Sequence, residues 1–145
     1  MTEQIFKEWH NKNIVSFLKR KGFYTPPMGI IDIDFIKKYY ASNKKIYMYE
    51  PPIFDPNLKT NIGKEDFLII AKNGILYIQW KFNNYDSINY TIKRAIKHKR
   101  AIKHLFPYHF LVLTDQKDME NIFFAPVQFV YNFSDYKKNI KDFCE

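Results

Sequence analysis

The chain is predicted to form a single α/β domain with a central mixed β-sheet flanked by helices. Three observations lead there. Two short apolar runs flank Asn73-Gly74, the strongest short-range signal for a β-hairpin. The segment 87–106 repeats Ile88, Ile92, Ala95, Ile96, Ile102 and Leu105 at helical spacing. The apolar run Phe110 to Thr114 then reads as a buried strand, and a helix before it supplies the crossover that a parallel neighbour needs.

Taken in order, the chain opens with a helix over Glu3 to Lys21. Ile5, Trp9, Ile14, Phe17 and Leu18 supply its buried stripe, Thr2 its N-cap and Gly22 the residue just past its end. Phe23 to Thr25 reads as a short strand stopped by Pro26-Pro27. Ile30 to Tyr40 fits a helix, or a strand followed by one, and Lys45 to Glu50 alternates as a strand does. Pro51, Pro52, Pro56, Asn57 and Asn61 mark a loop with little regular structure, so residues 26–62 are expected to be an insertion or lid. The hairpin 66–82, the helix 87–106 ended by Pro107, the strand 110–114 and a strand within Asn121 to Val130 follow. Ser134 to Phe143 closes the chain as a short amphipathic helix.

A length of 145 residues with 46% apolar content suffices for one packed core without staples. The single cysteine, Cys144, excludes an intrachain disulfide framework, and no zinc-ligand spacing is present. No uninterrupted apolar run approaches the ~20 residues of a membrane span. Met1 to Arg20 is too charged for a signal peptide, so a soluble intracellular protein, in the cytoplasm, is expected. Lys and Arg number 23 against 15 Asp and Glu, a net charge of +8 that favours polyanionic partners.

The hairpin carries the chemistry. A two-residue Asn73-Gly74 turn would set Lys72 opposite Ile75, Leu68 opposite Gln79 and Asp66 opposite Lys81. Alternate residues on a strand share a face, so Asp66, Gln79 and Lys81 project together while Ile69, Ile78 and Trp80 point away. A carboxylate and an amide oxygen can hold one Mg²⁺ that keeps several waters, and a lysine beside them offsets charge at a phosphate. The plain alternative is a cross-strand Asp–Lys ion pair beside a polar Gln.

Asp66, twelve intervening residues and Gln79-Trp80-Lys81 resemble the motif of the PD-(D/E)xK nuclease superfamily, as archaeal Holliday-junction resolvases display it. Residues 11–23 look like the first helix of those resolvases and the Gly-Phe that leads into their first strand. The helix at 87–106 and the strand at 110–114 follow in the family's order. The resemblance implies a restriction-endonuclease-like core, α-β-β-β-α-β-β, and a Mg²⁺- or Mn²⁺-dependent endonuclease acting on DNA, branched DNA included. It also implies a homodimer, since two nicks in opposed strands need two sites. Asp66 and Gln79 would then be metal ligands and Lys81 the stabilising cation.

The chain departs from the pattern. The proline before the aspartate is Glu65, and the acidic residue of the (D/E)xK element is Gln79, a variant that resembles methyl-directed restriction nucleases. The first-helix glutamate falls on Asn11, with Glu8 one turn earlier able to replace it as the ligand from that helix. Two softened ligands keep a second expectation open, a catalytically degenerate nucleic-acid-binding protein that retains the nuclease fold.

Between Lys93 and His104, eight of twelve residues are basic, among them Lys93, Arg94, Lys97, Lys99, Arg100 and Lys103. Such a helix neutralises backbone phosphates without reading sequence; a solvated face or an acidic-lipid surface is the alternative. In the resembling nucleases this helix flanks the active face, which favours DNA over RNA or a membrane. His10, His98, His104 and His109 show no metal spacing with acidic partners. Asp32, Asp34, Asp115 and Asp118 read as helix-start and turn residues, and Tyr39, Tyr40, Tyr47 and Tyr49 as packing or base-stacking groups.

Overall fold

The computed structural model describes residues 3–26, 31–50, 52–55, 60–64, 66–82, 107–115 and 127–145. Its first element is one uninterrupted helix in three parts: α1 (Glu3–His10), a π-helical turn π1 (Asn11–Val15) and α2 (Ser16–Arg20). His10, Val15 and Ser16 all keep right-handed helical dihedrals, so the axis continues through both junctions. The helix stops as its sequence predicts. The Phe23 amide donates to the Leu18 carbonyl and the Gly22 amide to the Lys19 carbonyl, a Schellman pair that needs the positive φ of Gly22, +90°.

Five strands form the main sheet, in the order β2 (Ile46–Tyr49), β5 (Phe67–Ala71), β6 (Gly74–Lys81), β7 (Tyr108–Thr114) and β8 (Val127–Val130). β2, β5 and β6 are antiparallel neighbours, whereas β6, β7 and β8 run parallel, so the sheet is mixed as expected. Phe6, Ile14 and Leu18 of the first helix pack on one face, against Phe67, Ile69, Ile78 and Leu111. Tyr136 and Ile140 of α4 (Phe133–Cys144) join them there. Asn132 caps α4 by accepting from the Asp135 amide at 2.7 Å. The other face buries Leu68, Ile70, Ile75, Tyr77 and Phe110 beneath Ile36 of α3 (Ile33–Ala41).

Several expectations are corrected. The segment 26–62 is not a single excursion: β2, within it, is an edge strand of the main sheet, with Ile46 and Met48 fully buried. The stretch expected to be loop holds β3 (Pro52–Asp55) and β4 (Thr60–Lys64), which pair antiparallel. With β1 (Ile31–Asp32) they make a second, three-stranded sheet. Of the expected strand 23–25 only a bridge from Tyr24 to Ile46 forms. Ile5, assigned to the buried stripe, is 56% exposed; the inward positions are Phe6 and His10, eight and four residues before Ile14. The helix predicted at 87–106, with its six Lys and Arg candidates, lies outside the described residues.

Candidate functional site

The hairpin forms, but its register differs from the prediction. Ala71 pairs with Gly74, Leu68 with Tyr77 and Phe67 with Ile78, so Lys72 and Asn73 make the turn. A type I′ turn needs positive φ at both central residues, and neither Lys72 nor Asn73 has it. Gly74, at φ +125°, follows them, and the backbone of Pro107 comes close to it. A Cβ there would lie 2.5 Å from the Pro107 carbonyl oxygen, which accepts from the Ile75 amide at 3.0 Å. The glycine thus serves the approach of β7 to β6, a long-range contact, as well as the positive φ that ends the turn.

The register moves by two residues, and since side chains alternate with period two, the faces survive. Gln79 and Lys81 continue the face of Ile75 and Tyr77, while Asp66 stands just before β5. What changes is who meets whom. Ile78 is the last β6 residue paired with β5, so Trp80 overhangs the ladder. The Asp66 Oδ2 accepts from the Trp80 amide at 2.7 Å, and the Gln79 Oε1 accepts from the Asp66 amide at 3.0 Å. Asp66 and Gln79 therefore clasp the open end of the hairpin. Gln79 is only 3% exposed. Burial raises the Asp66 carboxyl above the ordinary aspartate range, against the lowering effects of the Trp80 amide and the Lys81 charge; Glu50 and Glu3 raise it further.

Asp66, Gln79 and Lys81 are thus neighbours; Glu8 and Asn11 are placed elsewhere. Of the first-helix carboxylates the one acting on Asp66 is Glu3, and the Asp66 charge acts on Tyr136, which packs with that helix. Glu8 is exposed and accepts from Gln4 at 3.2 Å, while Asn11 accepts from the Tyr49 hydroxyl at 2.6 Å. Among the described residues the oxygen donors of the predicted site are one carboxylate and one amide, and each already accepts a backbone N–H. Among the described residues no three His, Cys, Asp or Glu side chains gather as a metal site.

Two features escape the sequence pattern. The first centres on His10, which is fully buried. Its Nε2 lies 2.8 Å from the Tyr136 hydroxyl and its Nδ1 2.9 Å from the Tyr49 hydroxyl. Burial lowers its pKa to about 3, so the ring is neutral. Indole Nε1 can only donate, and Trp80 Nε1 donates to the Tyr136 oxygen at 3.0 Å. The Tyr136 proton then goes to His10 Nε2, His10 Nδ1–H donates to Tyr49, and Tyr49 donates to Asn11 Oδ1. This is the assignment that gives every donor an acceptor, and the network then runs one way, from Trp80 to Asn11. Asn11 opens the π-helical turn, a feature found often at functional sites. It also lines an open cleft of about 510 Å³ between the first helix and β2, with Ser16, Lys19, Thr25, Tyr47 and Tyr49.

The second feature is a basic patch assembled from distant segments. Lys19, Arg20, Lys21 and Lys45 are exposed around the end of α2. The Lys45 ammonium donates to the Lys21 carbonyl at 3.1 Å, and the ammonium groups of Lys21 and Lys141 lie 6.0 and 5.4 Å from the Phe17 ring centre. The C-terminal end of a helix dipole accounts for cations at Lys19 to Lys21. It does not account for Lys45 and Lys141 arriving at the same place. Among the described residues none of these cations is in an ion pair; Lys7 and Glu3 form one elsewhere, at 3.2 Å.

No family model matches the chain, and neither a curated protein nor a solved structure does. No described helix is long and apolar enough to cross a membrane.

Proposed function

We propose that the chain is a nucleic-acid-binding protein built on a nuclease-like core whose hairpin site has lost the ligands for efficient phosphodiester hydrolysis. The observation that carries this is the use of Asp66 and Gln79: their oxygens close the end of the hairpin by accepting backbone N–H groups. The unneutralised patch of Lys19, Arg20, Lys21, Lys45 and Lys141 supports a polyanionic partner, as does the net charge of +8. DNA in preference to RNA, and a homodimer, rest on the resolvase resemblance alone. The second reading is a metal-dependent endonuclease acting on branched DNA. It is favoured by the Lys81 charge acting on Asp66, the pairing such a site would use.

Fluorescence anisotropy with labelled duplex and four-way DNA tests the binding. If the patch makes about five phosphate contacts, affinity should fall several-hundredfold between about 50 and 200 mM salt. Binding that is absent at the lower salt, or independent of salt, would remove the assignment.

A further inference from the structure

None of Asp66, Gln79 and Lys81 lines the cleft beside β2, which has a chemistry of its own. Its walls are Val15, Tyr47 and Tyr49, and its polar rim carries Asn11, Lys19 and Thr25. The directed network decides what the rim offers. Tyr49 donates its proton to Asn11 Oδ1, so the oxygen is engaged inward and the Asn11 Nδ2 remains as the group that meets a ligand. Nδ2 is a donor, and Lys19 adds an exposed cation with no ion pair among the described residues. The rim is therefore rich in donors and positive, which suits an anion with several acceptor oxygens. Tyrosine walls suit a flat aromatic group, and about 510 Å³ lies within the range of small-ligand sites while admitting no double helix.

We propose that this cleft holds one unpaired nucleotide of a single strand, its phosphate on Lys19 and Asn11 Nδ2 and its base against Tyr47 and Tyr49. This rests on the nucleic-acid reading above and assigns a second contact: the basic patch takes backbone phosphates of any strand, whereas the cleft selects an unpaired residue. The His10 network fixes the rim. Neutral His10, held between Tyr136 and Tyr49, leaves Tyr49 no acceptor role except toward His10 Nδ1–H, so the Asn11 amide keeps one orientation.

Asn11→Asp is the discriminating variant. A carboxylate still accepts from Tyr49, so the inner contact persists, while the outward donor becomes an anion. Affinities for a labelled oligothymidylate and a blunt duplex should be measured side by side by anisotropy, at one salt concentration, with circular dichroism as the folding control. The expected result is a loss of about tenfold or more for the single strand and less than about twofold for the duplex. Lys19→Ala should weaken both, the single strand more. Equal losses on both ligands for Asn11→Asp, or no loss on either, would overturn the cleft assignment and leave general binding standing. Wild-type protein that binds neither ligand would overturn the nucleic-acid reading itself, and with it the cleft.

Discussion

Replacing His10 by phenylalanine should reshape the pH dependence of stability. In the folded protein His10 titrates at about 3, against 6.5 for an unperturbed imidazole. The sign follows from proton counting: below pH 6.5 the unfolded chain takes up a proton at His10 that the folded chain refuses. The stabilisation is therefore complete above 6.5 and is lost as pH falls toward 3. One proton changes stability by about 1.4 kcal/mol per pH unit, so the full window amounts to about 5 kcal/mol, and roughly 2.7 kcal/mol is lost by pH 4.5. That is a large fraction of the ~5–15 kcal/mol that holds a domain folded. Phenylalanine leaves the buried Tyr136 hydroxyl without its acceptor and Tyr49 without a donor, at a cost of about 3 kcal/mol at neutral pH. The variant has no proton to gain there. Urea unfolding at half-unit steps of pH should find the variant less stable at neutral pH. The two stability curves should cross between about pH 4 and 5, with the variant the more stable below. Every other group is shared by the two proteins and cancels in the difference. Curves that run parallel from 6.5 to 4 would refute the account of His10 as a buried neutral ring.

Other substitutions test the hairpin. Gly74→Ala should cost roughly 3 kcal/mol or more, because φ is +125° and the new Cβ would meet the Pro107 backbone. Gly22→Ala, whose nearest contact would be the Lys45 side chain at 4.0 Å, should cost only about 1 kcal/mol; thermal melts compare the two directly. Asp66→Ala should lose about 1–2 kcal/mol, since the Trp80 amide loses its acceptor. Asp66→Asn keeps a carbonyl oxygen for that amide. It should be at least as stable as the wild type at pH 7, because a raised carboxyl pKa means that ionisation destabilises the fold as pH rises through the raised value. Asn less stable than Ala in urea unfolding would contradict that sign.

Much of this architecture was legible in the chain. Gly22 marks the helix end where a Schellman pair forms, and the two apolar runs about Asn73 mark a hairpin that exists. Period-two alternation keeps Gln79 and Lys81 on one face in either register. The misreading has a physical cause: Asn73-Gly74 is a local turn signal, yet Gly74 answers to Pro107, a neighbour that no local window contains. His10 was passed over for a related reason. A histidine in an apolar stripe reads as a break until its partners Tyr49 and Tyr136, 39 and 126 residues away, are in place. The basic patch joins residues 19–21, 45 and 141, and only its Lys19-Arg20-Lys21 part is contiguous in the sequence. β3 and β4 sit among prolines and asparagines that mask their pairing.

Strand scission bears most directly on the central claim that this hairpin binds its own backbone and does not cut. Purified protein in excess over end-labelled four-way, single-stranded and duplex DNA should be incubated with Mg²⁺ and with Mn²⁺, and the strands resolved on a denaturing gel. The account predicts shifted but intact DNA in every lane. Metal-dependent cleavage by the wild type that disappears in Asp66→Asn, with the fold retained, would contradict it and restore the hairpin as an active centre.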